Sequence, residues 1–281
     1  MSDDNAHEYD ALTYTSAIES PVDYVPRRVV SLVPSLTEAL FDLDLGDRLV
    51  GITENCVHPA DKVQLVPRVG GTQQPDIDQI ISLRPDLVLL NADDNRADAI
   101  DALQAANLPV WITGPRTVFA ALNVLWSIMD IFDHPVMVPR VREIERAYDY
   151  TGGAARAQTP VPVIALLRSD QPGSWITCNA DTFTHDLLRV CGGKNVLAEA
   201  EDRYPRISLS EITAAQPTAM LIGSELASDR EQLLALDMPA AHQERIHLVD
   251  VTLLTWHGMR IGFALRDLPT FIMEEESEDD D

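Results

Sequence analysis

The sequence predicts an α/β protein of two lobes, each built on a mostly parallel sheet and joined by a long helix. Three observations predict it. Apolar runs of strand length alternate with helical patterns from Arg27 onward, the two halves of the chain repeat one pattern, and a helical stretch lies between them. We expect the following order: an acidic tail at 1–26, a lobe at 27–130, a connecting helix at 131–158, a lobe at 159–270 and an acidic tail at 271–281.

Seven β-branched or Leu-rich runs are expected to form the strands. The first lobe has four of them and the second has three, at 29–33, 49–53, 87–90, 110–113, 163–167, 219–222 and 246–249. Helical apolar spacing predicts helices over 184–190, 209–215 and 230–236. The stretch 118–156 reads as two helices that are interrupted near His134.

The internal repeat is the most informative of these features. Thr37 and Gly46, nine residues apart and followed by an apolar run at 49–51, match Thr184 and Gly193, followed by a run at 196–198. Residues 77–90 match residues 209–222, and both read as helix, proline and buried strand. Two matches in the same order favour a duplicated lobe.

Composition and charge exclude several classes of protein. Hydrophobic residues make up 46% of the chain, which is enough to bury a core. Three cysteines, Cys56, Cys178 and Cys191, are too few for a disulfide framework. The formal charge of -24 has the wrong sign for phosphate, so we expect no nucleic-acid partner. We expect disordered tails, because their carboxylates repel one another and have nothing to bury.

The start of the chain predicts a location. Residues 1–26 contain no basic segment followed by a continuous apolar segment, and no lipid-attachment cysteine follows the start. No apolar run approaches the roughly 20 residues that a membrane helix requires. We therefore expect a cytoplasmic protein, and we take it to be a monomer.

Loops that leave the carboxyl ends of parallel strands form the ligand crevice of open α/β sheets, so the loops of two such lobes should converge on one cleft. Aromatic rings suit a planar, partly apolar ligand, and arginine suits carboxylate, amide or phosphate oxygens. The candidate ligand-binding residues in these loops are Ser35, Asn95, Arg96, Trp175, Trp256 and Arg260.

The same loops hold candidate metal ligands. Cys56 and His58 lie two residues apart and share a face if the segment is extended, while the other donors come from other loops: His185, Glu225 and His257. A thiolate and neutral imidazoles suit zinc, cobalt or iron. The alternatives are that Cys56 is a small buried residue and that one histidine coordinates a bound chelate. A metal-dependent enzyme is a third alternative, but the sequence has neither a phosphate loop nor a nucleophile elbow.

Several ordered motifs resemble a known family over about residues 27–270. They are Ser31 to Glu38, Gly51 to Thr53 with Cys56 to Pro59, the segment 80–90 and Val190 to Val196. They resemble the helical-backbone metal receptor superfamily, the substrate-binding proteins of ABC importers for cobalamin, haem and iron-siderophores, and are most similar to its cobalamin-binding type. The resemblance implies two Rossmann-like lobes on a long backbone helix, the class III architecture.

The resemblance also implies a ligand and a partner. The ligand is a metal chelate, such as cobalamin, another corrinoid, a related tetrapyrrole or an iron complex, which is held in the interlobe cleft without catalysis. The partner is an ABC permease, to which relatives present one acidic residue on each lobe. Asp78 occupies that position on the first lobe, but Ser210 occupies it on the second, with Glu211 one residue further on.

Overall fold

The computed structural model describes residues 20–273. The first lobe is an α/β unit that begins with its central strand. Its elements are β1 (Val29–Ser31), α1 (Pro34–Asp42), a 3-10 helix (Gly46–Arg48), β2 (Leu49–Ile52), α2 (Ala60–Val63), α3 (Ile77–Ser82), β3 (Leu87–Asn91), α4 (Ala97–Ala105) and β4 (Val110–Thr113). The four strands form a parallel sheet in the order β2-β1-β3-β4.

Helices connect this sheet to a second one. The connecting elements are α5 (Val118–Ile131), a 3-10 helix (Pro135–Met137) and α6 (Val138–Arg156). The second lobe contains β5 (Val161–Leu166), β6 (Arg168–Gln171), β7 (Ser174–Ile176), α7 (Phe183–Val190), β8 (Gly193–Asn195), β9 (Arg206–Ser208), α8 (Leu209–Ala215), β10 (Ala219–Gly223), a 3-10 helix (Ser224–Asp229), α9 (Arg230–Leu234), α10 (Pro239–His242), β11 (Ile246–Val249), α11 (Val251–Thr255) and α12 (Ile261–Ile272).

The two main sheets have the same topology, so the repeat in the sequence is a repeat of structure. The second sheet is also parallel, and its order β11-β10-β5-β8 places successive strands as in the first sheet. The matched helices α3 and α8 both begin with a residue whose side chain caps the helix. Asp76 accepts a hydrogen bond from Gln79 N at 2.9 Å, and Ser208 forms a capping box with Glu211.

The structure adds strands that the sequence does not predict. One follows α7 at Gly193–Asn195, directly before the apolar run at 196–198, because Gly192 adopts φ +89° after α7 and turns the chain at once into the sheet beside Val161. Residues 168–175, expected as a loop, contribute β6 and β7 to a small antiparallel sheet with β9. Strand β6 is exposed along its whole length and therefore lacks an apolar signal.

One apolar core runs through both lobes and the connecting helices. Alternate residues of each central strand point into it, for example Leu87 and Leu89 from β3 and Ala219 and Leu221 from β10. The opposite faces of the two sheets pack against separate outer clusters. Both sheets are therefore anchored to the same helical centre, which restricts how far the lobes can move apart.

The connecting segment is two helices interrupted at His134, as the sequence predicts. Between them, Trp126 Nε1 donates a hydrogen bond to the buried carboxylate of Glu145, and Arg142 pairs with the same carboxylate at 3.0 Å. The amide N of Val118, at the start of α5, donates to Asp186 of the second lobe at 2.8 Å. These buried bonds fix the helices against each other.

The domain limits given above stay a prediction. Of the expected tails, residues 1–19 and 274–281 lie outside the described residues. Within the described part of the first tail, the hydroxyl of Tyr24 donates to the carbonyl of Asp86 at 3.0 Å, so this segment contacts the lobe. Between residues 20 and 273 no helix has both the length and the apolar character that crossing a membrane requires.

Candidate ligand-binding cleft

Loops from the carboxyl ends of the strands meet between the lobes, as expected for this fold. The strand order of the first sheet sets their positions along the cleft. The loop after β2 lies at one edge, the loops after β1 and β3 lie in the centre, and the loop after β4 lies at the other edge. Each of the three positions makes contacts with the second lobe.

The β2 edge of the cleft is aromatic. The rings of His58 and Trp256 meet edge to face with their centroids 5.8 Å apart, and the guanidinium of Arg260 lies 5.1 Å from the centre of the Trp256 ring. Arg260 also holds Glu38 of α1 through two bonds of 2.7 and 2.9 Å and Asp250 through one of 3.0 Å. The half-buried indole is thus fixed between a first-lobe imidazole and a paired arginine.

His257 occupies the centre of the junction. Its Nε2 lies 3.1 Å from Asn91 Nδ2 and 3.4 Å from Ser35 Oγ, both in the first lobe. Asn91 Oδ1 accepts the amide of Asp93 at 2.7 Å, which leaves Nδ2 to donate to the imidazole. Burial lowers the pKa of His257 to about 4, so the ring is neutral at pH 7 and Nε2 accepts.

Gly258 allows this close approach. A Cβ built at position 258 would lie 2.6 Å from the carbonyl oxygen of Ser35, which is too close for any other residue. The chain after His257 therefore packs directly on the backbone of α1.

Ion pairs link the second lobe to the loops after β3 and β4, toward the β4 edge. Arg203 of the second lobe pairs with Asp93 at 2.6 and 2.9 Å, and Arg116 pairs with Asp181 of the second lobe. The Arg203 guanidinium holds the pKa of Asp93 below its usual range, so this carboxyl is ionised at neutral pH. Next to it, burial and the charge of Asp93 raise the pKa of Asp94 to about 6.

The arginines of the cleft are matched by carboxylates. The three that contact the other lobe pair with four acidic groups: Arg116 with Asp181, Arg203 with Asp93 and Asp181, and Arg260 with Glu38 and Asp250. This set carries one excess negative charge. These three arginines consequently present no unpaired positive charge to an anionic ligand.

The candidate metal ligands do not gather into one site. Among residues 20–273, no group of three or more His, Cys, Asp or Glu side chains could hold a metal ion. The Cys56 thiol is fully buried, with Sγ 3.1 Å from Thr37 Oγ1 and 3.2 Å from Thr53 Oγ1, and burial raises its pKa. It is a protonated core group.

The other four candidates point to different places. His58 contacts Trp256, and His257 is bonded to the first lobe. His185 lies half-buried on α7 with Nδ1 3.4 Å from Asn195 Nδ2, and Glu225 folds its carboxylate back over Gly223. The expected five-residue cluster is wrong, because each side chain is committed to its own lobe or to a different partner.

Three expected ligand-binding residues make their contacts within their own lobe. Trp175 is 1% exposed in the second-lobe core, and its Nε1 donates to Asp229 at 2.7 Å. Asn95 is buried and ties its loop to Leu32 and Thr72 through their carbonyls. Arg96 pairs with Asp98 beside a separate surface groove of about 330 Å³. Trp256, Arg260 and Ser35 do lie at the junction.

Sequence reasoning missed the most direct links between the lobes. Asp93 lay inside an expected cleft loop but was not selected, and Arg203 lay between expected elements. Asp181 and Thr182 both precede α7, but only Thr182 caps the helix, by accepting the amide of His185, while the carboxylate of Asp181 pairs with Arg116. Their charge and their positions near the ends of strands could have marked these residues as candidates. Charge alone, however, does not show which partner a side chain faces.

Comparison with known proteins decides the family. A family model described as periplasmic binding protein matches residues 29–241. The chain belongs to this family. Its relatives include a vitamin B12-binding protein of Yersinia pestis (strain Pestoides F), which is 25% identical over 195 residues, 69% of this chain and 69% of that protein.

Solved structures share the fold. The periplasmic vitamin B12 binding protein BtuF of Vibrio cholerae aligns with a TM-score of 0.79 at 20% identity, over 88% of this chain and 96% of that one. The periplasmic heme-binding protein RhuT of Roseiflexus sp. RS-1 aligns with a TM-score of 0.73 at 25% identity, over 87% of this chain and 97% of that one.

The comparisons confirm the resemblance, the class III fold and the expectation of a non-catalytic binding protein, because the family and these relatives are binding proteins. They overturn one expectation. A cytoplasmic location is wrong, since the family and its solved relatives are described as periplasmic. That inference was based only on the absence of a recognisable export signal in residues 1–26.

Proposed function

We propose that the protein captures a cobalamin or related corrinoid, by non-covalent contact, in the cleft between its lobes. Relatives named for vitamin B12 binding and for haem binding support a metal chelate as the class of ligand. The observation that carries the choice of a corrinoid is the charge balance of the cleft, where every arginine that contacts the other lobe is already paired with a carboxylate.

The charge balance discriminates between the two kinds of chelate. A haem carries two propionate carboxylates, which would meet a set of side chains with excess negative charge. The rim of a corrin ring carries neutral amides instead, and these can donate to Asp and Glu and accept from Arg. A ligand without carboxylates therefore suits this cleft better.

Trp256 supplies the apolar contact that a macrocycle needs. Its indole is partly open, lies at the cleft edge and is held in orientation by His58 and Arg260. A fixed aromatic ring buries a large area at little cost in side-chain entropy. Val57, next to His58 in the chain, is 50% exposed and adds an apolar side chain to this loop.

Haem is the second candidate, and one observation favours it. The half-buried imidazole of His58 lies in the cleft next to Trp256 and could coordinate the metal of a bound chelate. His257 cannot serve in the same way while its Nε2 accepts from Asn91. A haem complex should therefore depend on His58.

A titration separates the two candidates. Purified protein is titrated with cyanocobalamin and, separately, with haemin, while absorbance and tryptophan fluorescence are recorded. We expect saturable quenching by cyanocobalamin that is lost in Trp256→Phe and retained in Trp126→Phe, the matched change away from the cleft. A haemin spectrum that shifts on binding and is lost in His58→Ala would favour the second candidate, and no saturation with either chelate would reject the proposal.

We further propose that the protein delivers its ligand to an ABC permease. Asp78 and Ser210 occupy the second positions of α3 and α8, matched helices of the two lobes, and both are exposed. Glu211 is bonded to Ser208 within its capping box, so it does not replace the missing carboxylate. Docking would then depend on Asp78, and Asp78→Asn should reduce uptake more than Ser210→Ala does.

A further inference from the structure

We propose that a chain of four charged residues forms a latch across the cleft, which holds the lobes together until a ligand separates them. The four are Asp93 and Arg116 of the first lobe and Asp181 and Arg203 of the second. The inference relies on the proposed function only for the identity of the ligand.

The ion pairs of the latch cross the cleft twice. Arg203 holds Asp93 through two parallel bonds, NH1 to Oδ1 at 2.6 Å and NH2 to Oδ2 at 2.9 Å. Its Nε donates to the carbonyl of Asp181 at 2.9 Å and lies 3.3 Å from the carboxylate of that residue. Arg116 of the first lobe pairs with Asp181 of the second lobe and forms the second crossing. The charges alternate along the whole chain.

Both sides of the central pair are also held by contacts within their own lobes. The amide of Asp93 donates to Asn91 Oδ1 at 2.7 Å, so the loop presents the carboxylate toward the second lobe. The guanidinium of Arg203 packs over the ring of Tyr204, with Cζ 5.6 Å from the ring centre. The backbone carbonyl of Arg203 accepts a hydrogen bond from the amide of Asn179 at 2.9 Å. A pair between preorganised groups loses little entropy on forming.

The latch is the part of the junction best suited to open. Its central side chains are 28% and 23% exposed, so water and salt reach them. At the other edge, Arg260 and Glu38 are only 15% and 12% exposed, and the helical centre is a continuous apolar core. A macrocycle cannot pass between side chains in contact at 2.6 Å, so entry at this edge requires the pairs to separate.

Hydrogen exchange of the ligand-free protein tests the latch without any chelate. The variants are Asp93→Asn, Arg203→Gln and the double variant, with Asp170→Asn as the control that breaks the Arg206 pair within the second lobe. We expect faster amide exchange at 91–96 and 179–182 in all three latch variants but not in the control. The double variant should match Arg203→Gln, because Arg203 is the partner of both Asp93 and Asp181 and its loss already removes both pairs. Unchanged exchange in these segments overturns the latch.

Binding kinetics then test whether the latch controls access. The association rate of cyanocobalamin is measured by stopped flow in low and high NaCl. Removing the pair between Asp93 and Arg203 should increase the fraction of molecules with an open latch about fivefold. The association rate should rise by the same factor, because only these molecules admit the ligand. The wild-type rate should rise with salt, and the Asp93→Asn rate should change less. Faster exchange without faster association overturns control of access.

A failure of the proposed function is distinguishable from a failure of the latch. If wild-type protein binds no chelate while exchange still quickens in the latch variants, the corrinoid assignment is wrong and the latch stands. If the chelate binds but the variants match wild type in both exchange and association rate, the latch is wrong and the assignment stands.

Discussion

The imidazole of His257 accepts a hydrogen bond from the side-chain amide of Asn91 at 3.1 Å, from one lobe to the other. Asn91 ends β3, and its oxygen also orders the loop that carries Asp93. A single asparagine thus connects the buried centre of the junction to the ion pairs at its edge. Changes at this contact should affect stability and cleft opening together.

The stability of the protein should fall in acid because of His257. An unfolded histidine has a pKa near 6.5, whereas burial lowers the folded value to about 4, so the unfolded state binds more protons between these pH values. The free energy of unfolding should therefore decrease by roughly 3 kcal/mol from pH 6.5 to 4 through this group. Urea unfolding across this range should show a smaller decrease in His257→Gln. His242→Gln, which alters an exposed histidine, should keep the wild-type slope.

The closeness of the chain to α1 should make position 258 intolerant of a side chain. Gly258→Ala forces a methyl group toward the carbonyl of Ser35 and should lower the free energy of unfolding by about 2 kcal/mol. Gly262→Ala adds the same methyl within α12, where it meets only Ile144 at 3.4 Å, and should be neutral or stabilising. Equal effects of the two changes in urea unfolding would contradict the packing described for the junction.

Trp175 should matter for stability and not for ligand binding. Trp175→Phe removes the bond from Nε1 to Asp229 and should cost about 1 to 2 kcal/mol in urea unfolding. Chelate affinity should stay within twofold of wild type, in contrast to Trp256→Ala, which removes the aromatic edge of the cleft. A loss of affinity in Trp175→Phe at full folding would place this residue back among the ligand contacts.

All three thiols should resist modification in the folded protein. Cys56, Cys178 and Cys191 are free and buried, and burial raises the pKa of each, to about 11 for Cys178. Thiol titration with Ellman's reagent should report no rapid reaction in native buffer and three groups in urea. Added Co²⁺ should produce no thiolate charge-transfer band, and a band that disappears in Cys56→Ser would restore the metal-site hypothesis.

The sequence by itself determined the two-lobed fold class, the internal repeat and the positions of most strands along the chain. Apolar runs such as 87–90 and 219–222 are buried on both faces, and a strand in that environment is recognisable as a continuous apolar run. The interruption near His134 is likewise local. By contrast, β6 carries polar, exposed residues whose pairing with β7 has no signature in composition. Its strand character comes only from its neighbour.

Only the tertiary structure decided which side chains meet in the cleft. Trp175 and Trp256 read alike in the sequence, yet the first is enclosed beneath the second-lobe sheet while the second faces His58 of the other lobe. Arg203 and Asp93 lie 110 residues apart and join the lobes through two bonds of 2.6 and 2.9 Å. The type of a residue determines which groups its side chain can bind. Contacts between distant loops depend on how the two lobes pack, and the local sequence pattern contains no information about that packing.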